Sequence, residues 1–244
     1  MTSTYEHNRR AWNEQVRAGN EWTRPFAPEV IERARRGDWS VVLTPVEPVP
    51  RTWFGELSGK DVLGLASGGG QQCPIFSAAG ARVTSFDASE EQLAQDRHVA
   101  ERDGLALRTQ QGDVHDLAAF AAGSFDLVFN PCSTCFMEDL EPVWREVARV
   151  LRPGGALLTG FVNPWVFLFD PDAFDRGELR VTNKLPVREE RDGLIQFSHS
   201  FDEQLGGQLR AGLMITDMFE DRWPRWPALH HVAPAFIATR AIKR

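Results

Sequence analysis

Residues 61–72 read DVLGLASGGGQQ, a short apolar run that ends in three consecutive glycines, Gly68, Gly69 and Gly70. Glycines placed there let the chain turn tightly and let a ligand approach the backbone without interference from a Cβ. A strand that stops in such a turn before a helix is expected to aim backbone N–H groups outward, where they hold an anionic or polar ligand. Two acids follow at informative intervals. Asp87 closes the run VTSFDAS, a position from which a carboxylate accepts both hydroxyl hydrogens of a ribose. Asp113, in QQGDVHD, closes the next run, where it could receive an adenine amino group.

The ligand these residues suit bears an adenosine, and the remaining question is whether it bears phosphates. A dinucleotide fingerprint counted from Gly68 requires a small residue at position 73, which is Cys73. That departure weakens a nicotinamide-dependent reading. Adenosine without phosphates needs the two acids and tolerates a looser glycine pattern.

Elements that would position these residues can be read from the apolar periodicity. Residues 61 to 66, 82 to 86, 105 to 110, 125 to 130 and 156 to 162 read as short buried strands. A helix near 89 to 103 opens with Ser89 and Gln92 at capping-box spacing and closes at Gly104. Leu140, Val143, Trp144, Val147, Ala148 and Leu151 form one apolar stripe on a helix that Pro153-Gly154-Gly155 is expected to stop. Strands alternating with helices imply parallel strands, right-handed crossovers and a ligand at the carboxyl ends of the strands. Residues 213 to 219 and 236 to 241 read as two further strands that close the sheet as an antiparallel pair.

At this point the order DVLGLASGGG, SFDAS, QGDVHDL, GSFDLVFNPCS and ARVLRPGGALLTGF resembles the class I S-adenosylmethionine-dependent methyltransferases over about residues 60 to 162. It is similar in particular to small bacterial methyltransferases of unassigned substrate that share the ASGGGQQ loop. The resemblance implies an α/β, Rossmann-like doubly wound sheet of seven mostly parallel strands, an antiparallel C-terminal strand and helices on both faces. It implies S-adenosylmethionine as cofactor, with Ala66, Ser67, Gly68 and Gly70 at the methionine portion and Asp87 on the ribose. Ala88 and Gln92 are expected near the adenine, Asp113 at its amino group and the Val114 N–H at a ring nitrogen. Asn130 and Pro131 are expected to face the methionine end. Two positions depart from the family: Gly64 stands where an acid is usual, and Ala66 replaces a glycine. Gln71, Gln72, Asn8 or Trp12 could compensate at the methionine end.

Two regions lie outside the alternation, an N-terminal helical cap segment at 1–58 and an insertion at 163–198 within the methyltransferase domain at 59–244. Seven of the eight tryptophans, all but Trp144, lie outside the sheet and its helices. They either pack satellite segments or form an aromatic cap over a substrate. No catalytic residue is assigned, because an activated sulfonium donor mainly requires alignment and exclusion of water. A general base, if the acceptor needs one, is expected from the cap or from His115 or His199. Cys132 and Cys135 form a CxxC without the second pair that zinc would need, so no metal is expected.

A net charge of -7 argues against a nucleic-acid partner. No apolar run reaches the roughly 20 residues of a membrane helix, and the N-terminus carries no apolar signal core, so a cytoplasmic protein acting on a small-molecule acceptor is expected. Three cysteines fit a reducing compartment. The alternatives are a nicotinamide-dependent oxidoreductase and a non-catalytic S-adenosylmethionine-binding protein.

Overall fold

The computed structural model describes residues 3–244, the side chains of Phe174 and Asp175 excepted. The described residues form strands β1 (Asp61–Leu65), β2 (Arg82–Asp87), β3 (Leu107–Gln111), β4 (Phe125–Asn130), β5 (Leu151–Val162), β6 (Arg188–Arg191), β7 (Leu194–Phe197), β8 (Leu213–Asp221) and β9 (Phe236–Lys243). Seven of them make one sheet in the order β3-β2-β1-β4-β5-β9-β8, while β6 and β7 pair as a separate hairpin. Strands β1 to β5 are parallel to one another, and β9 runs antiparallel to both β5 and β8. The strand order reverses beside β1, at the switch point where open sheets of this kind bind ligands.

Alternation along each strand decides which helix it meets. Val62, Val83, Leu127, Phe129 and Leu158 join a core with Ile31 of helix α2 (Pro28–Arg35), Phe76 of α3 (Gln72–Ala78) and Val99 of α4 (Glu90–Asp103). Leu63, Leu65, Phe86, Val128 and Leu157 point to the opposite face and meet Val143, Trp144 and Val147 of α5 (Glu141–Val150). Both faces of the central strands β1 and β4 are therefore covered, which is why these two are largely apolar, whereas edge strand β3 is polar and exposed. A fully buried side chain of this size contributes about 1.5–3 kcal/mol. Helix α1 (Thr4–Arg17) lies apart from this core, against α4 and β7.

Several boundaries differ from the sequence expectation for local reasons. The α5 stripe ends at Val150, and Leu151 already pairs with Phe125 as the first residue of β5. Pro153-Gly154-Gly155 thus sits inside the strand, at a register irregularity where Gly154 adopts a φ of 78°. It bends the strand and does not terminate the helix. β3 starts two residues late because Leu105 N–H still donates to Ala100 at the end of α4. The β6–β7 hairpin within 163–198 was not anticipated.

β1 ends at Leu65 because Ala66 turns into the left-handed region, with a φ of 47°. One position earlier on the strand's reading frame, Gly64 faces α3, and a Cβ there would run into the Cys73 thiol. Two stability tests follow from these positions. Gly64→Ala is expected to cost about 1–3 kcal/mol by overpacking, and adding Cys73→Ala is expected to return part of that loss in denaturant unfolding; simple additivity of the two would contradict the contact. Ala66→Gly relieves a left-handed cost of about 1–2 kcal/mol against an entropic cost of about 0.5–1 kcal/mol, so its midpoint is expected to stay level or rise. A clear fall would show that the Ala66 methyl has contacts worth more than its strain.

Candidate active site

The glycine loop between β1 and α3 is held from behind. Gly68 N–H donates to Asp87 Oδ2 at 3.1 Å, Gly69 N–H to the Gln92 carbonyl at 3.0 Å and Gly70 N–H to Asp96 Oδ1 at 2.8 Å. The expectation that these N–H groups aim outward at the ligand is therefore corrected, because the neighbouring strand end and helix α4 consume all three. A loop without free N–H groups at its glycines offers no nest for a pyrophosphate, which removes the physical basis of the nicotinamide reading. The glycines serve close approach: a Cβ on Gly68 would come within 2.7 Å of Gln92 Cβ, and one on Gly70 within 3.0 Å of Val99.

Asp96 was not foreseen. It is fully buried, and its second oxygen accepts from the Ser85 hydroxyl at 2.6 Å. A signal existed, since Leu93, Asp96 and Ala100 share the buried stripe of α4 and an acid on such a stripe needs partners. Asp87 lies at the end of β2 with its Oδ1 accepting from Ser89 N–H at 2.9 Å. Burial pushes the Asp87 carboxyl up to about 6 despite the N–H groups of Ser89 and Gly68, and pushes Asp96 up to about 7 despite Ser85 and Gly70.

A cavity of about 1100 Å³ opens above this loop. Ala66, Ser67, Gly68, Gln72, Asp87, Ala88, Gln92, Asp113 and Val114 all lie on its wall. Gly70 and Asn130 stand behind the wall. Asn130 is fully buried, donates to the Leu65 carbonyl and the Ser133 hydroxyl at 2.8 Å each, and accepts from the Thr159 hydroxyl at 3.0 Å. It ties the ends of β1, β4 and β5 together. Gln92 Oε1 is buried at the wall and has no hydrogen-bond partner among the described residues.

His115 faces two acceptors, Asp113 Oδ1 at 2.5 Å from Nδ1 and the Asp139 carbonyl at 3.0 Å from Nε2. Both ring nitrogens are therefore engaged. The hydrogen bond to Asp113 raises the His115 pKa against partial burial; for Asp113, partial burial pushes upward but the bonds from His115 hold the carboxyl below its ordinary value. With both nitrogens engaged by protein groups, His115 is poorly placed to act as a general base. His199 is also unsuited to that role: it is off the cavity wall, with Nε2 against the Met137 carbonyl at 2.8 Å.

Of the residues that could compensate at the methionine end, Asn8 is committed elsewhere. Its amide donates to the Phe136 and Ile195 carbonyls, and its oxygen accepts from Ile195 N–H at 2.8 Å. Gln71 donates to the Glu21 and Arg24 carbonyls. Gln72 remains on the wall, with Oε1 accepting from Val42 N–H at 3.3 Å, and Trp12 is on the wall edge-on to Phe136. Cys132 and Cys135 also face the cavity, both with pKa values raised by burial, Cys135 to about 12. They are neutral thiols, and the described residues contain no cluster that could hold a metal ion. The tryptophans divide. Trp39 and Trp53 pack on Phe54, Phe76 and Phe219, whereas Trp12, Trp22, Trp223 and Trp226 line the cavity.

Residues 63–159 match the family described as Methyltransferase domain. Across 256 aligned positions, covering 100% of both proteins, the chain is 41% identical to an uncharacterized methyltransferase, YbaJ, of Bacillus subtilis. Its fold superposes on an S-adenosylmethionine-dependent methyltransferase from Mesorhizobium loti with a TM-score of 0.64 at 22% identity, over 79% of this chain and 95% of that one. It also superposes on the 1,6-didemethyltoxoflavin-N1-methyltransferase of Burkholderia thailandensis with a TM-score of 0.62 at 16% identity, over 100% and 91%. At those identities the likeness is one of fold, and it agrees with the sheet order and with a glycine loop unfit for phosphate. The chain belongs to the class I S-adenosylmethionine-dependent methyltransferases.

Proposed function

We propose that this methyltransferase acts on a small molecule, received into the cavity between the glycine loop and a cap made by residues 1–58 and the insertion at 163–198. The observation that carries the reading is the closeness of that cap: Asn8 of α1 bonds to both the N–H and the carbonyl of Ile195 on β7, and Ser89 at the head of α4 donates to Asn13 at 2.7 Å. A roof stapled across the strand ends suits a molecule that fits inside, and a volume of about 1100 Å³ exceeds the ~300–1,000 Å³ typical of a single ligand pocket. The net charge of -7 disfavours a nucleic-acid acceptor. The three free thiols suit a reducing compartment, and we place the protein in the cytoplasm.

When bound, S-adenosylmethionine supplies a methyl group already activated by its sulfonium. The chain's part is to bind, orient and exclude water. In this reading the Asp87 carboxylate accepts the ribose hydroxyls, Ala88 and Val114 flank the adenine, and the unpartnered Gln92 Oε1 and the Asp113 carboxylate accept from its amino group. Ala66, Ser67, Gly68 and Gln72 form the floor for the methionine portion, with Gly70 and Asn130 fixing that floor from behind.

The Asp87 carboxyl must be ionised to accept two hydroxyls. Its pKa of about 6 in the free protein means that binding S-adenosylhomocysteine has to displace a proton at lower pH. Affinity measured calorimetrically is therefore expected to be level above about pH 7 and to weaken as pH falls through 6. Asp87→Asn is expected to lower affinity by about 10-fold to 100-fold and to abolish that pH dependence, since hydrogen bonds to charged groups contribute about 1.5–3 kcal/mol. Undiminished affinity in the variant would remove Asp87 from the ribose.

A further inference from the structure

We infer that the acceptor is a planar, uncharged ring system bearing an O–H or N–H, held face-on by a tryptophan wall; this rests on the small-molecule reading above. The wall is centred on Trp223, which sits 4.8 Å from Trp226, 5.9 Å from Phe236 and 6.1 Å from Trp22 between ring centroids. Trp226 and Phe236 are stacked within 9° of parallel and are nearly buried, so they form a rigid backing. Trp22 is 37% exposed and Trp223 is half-buried, so these two present ring surface to the cavity. Rigid aromatic walls favour flat partners, because offset and edge contacts reward a matching π-surface beyond the area covered.

Polar atoms around this wall say more about the occupant. Asp221 is 2% exposed, and its carboxylate accepts from the N–H groups of Val46, Glu47 and Arg222, which binds the 44–47 segment to the start of the tryptophan segment. Cys132 N–H donates to the Leu43 carbonyl at 2.8 Å, which brings the same segment to the loop after β4. Thr44 therefore sits on the cavity wall between the two, 2% exposed, and its hydroxyl has no hydrogen-bond partner among the described residues. A buried hydroxyl without a partner is costly unless a ligand completes it. A ring O–H or N–H does so.

The charges beside the tryptophan wall are already paired. Arg225 pairs with Glu21 at 2.7 Å and lies 5.5 Å from the Trp223 ring centroid, Arg9 pairs with Glu6 at 2.8 Å, and Asp221 is consumed by backbone N–H groups. A carboxylate or phosphate acceptor would find these cations engaged, and an ammonium would find the Trp223 face already beside a guanidinium. The transfer itself balances simply. A lone pair on the ring oxygen or nitrogen forms the bond to the methyl carbon as the sulfur–methyl bond breaks, its electrons return to sulfur, and the acceptor's proton leaves to water.

Calorimetry on the full chain tests this with four probes of one size: 2-naphthol, its saturated analogue decahydro-2-naphthol, the anion 2-naphthoate and the cation 2-naphthylmethylammonium. S-adenosylhomocysteine is titrated first, and failure to bind it would overturn the cofactor reading itself. On the S-adenosylhomocysteine-loaded protein, 2-naphthol is expected to bind at least about tenfold tighter than each of the other three. Trp223→Leu is expected to lose about tenfold of that affinity, and the exposed Trp22→Ala, which preserves the fold in any case, at least about threefold, with S-adenosylhomocysteine affinity held within about twofold. Thr44→Val should weaken 2-naphthol by about threefold to tenfold. Normal S-adenosylhomocysteine binding would leave the cofactor reading standing while the acceptor class is overturned by any of three results: equal affinity for the saturated or a charged probe, binding of none of the four, or tryptophan variants that bind 2-naphthol as the parent does.

Discussion

Three backbone N–H groups turned inward organise this molecule's site. Gly68, Gly69 and Gly70 donate to Asp87, to the Gln92 carbonyl and to Asp96, so the loop is clamped between the end of β2 and the first turns of α4. The clamp brings two buried carboxyl groups close together, and burial raises both of their pKa values. Such a pair is tolerated because each oxygen has a donor: Gly68 and Ser89 for Asp87, Gly70 and Ser85 for Asp96. The consequence for function is a floor whose backbone is already satisfied. It can lie under a neutral or cationic group at van der Waals distance, and it has nothing left to offer a phosphate.

Above that floor the construction changes character. The sheet and its flanking helices are held by two apolar cores, one of which takes in Ile31, Leu43 and Trp53 of the N-terminal segment, whereas α1 meets the β6–β7 hairpin through polar bonds to backbone as well as buried Ala11 and Ile195: Asn8 to Ile195 and Phe136, Gln15 to the Asp192 carbonyl and His7 to the Gly193 carbonyl. Each such hydrogen bond contributes about 0.5–1.5 kcal/mol net, against about 1.5–3 kcal/mol for each large buried apolar side chain. Under the proposed function, the contact between α1 and the hairpin would close one side of the cavity and help to exclude water.

The fold was largely legible because central parallel strands covered on both faces are written as apolar runs, as in those beginning at Asp61 and Phe125. Asp87 and Asp113 were legible from their places at strand ends, and the structure puts both on the cavity wall. What could not be read was partnership. The stripe of Leu93, Asp96 and Ala100 hinted that Asp96 faces inward, but which groups meet it is decided by Ser85 and Gly70, distant in sequence. The β6–β7 hairpin escaped because REER carries four charges in a row and its pairing with LIQF is a tertiary outcome. Asn130 was legible as a residue of consequence but not as one facing inward, because the direction of an amide at a strand end depends on Thr159 and Ser133.

The missing acid on β1 shows how such a site can be rearranged without loss of architecture. Where the family usually carries a carboxylate at the strand's end, Gly64 has no room for any side chain, since the Cys73 thiol fills the space and lies 3.7 Å from the Ser67 carbonyl and hydroxyl. The organising carboxylate has moved to the other side of the loop, onto α4, where Asp96 reaches Gly70. Such a carboxylate can fix the loop but, being fully buried behind it, cannot touch a ligand's ammonium. In the proposed placement the amino end of the methionine portion would be met by neutral groups on the wall such as Ser67, Gln72 and Ser133. Dipoles in place of a charge hold an ammonium less tightly, so the proposed placement weights the grip on the cofactor toward its adenosine, at Asp87, Asp113 and Gln92.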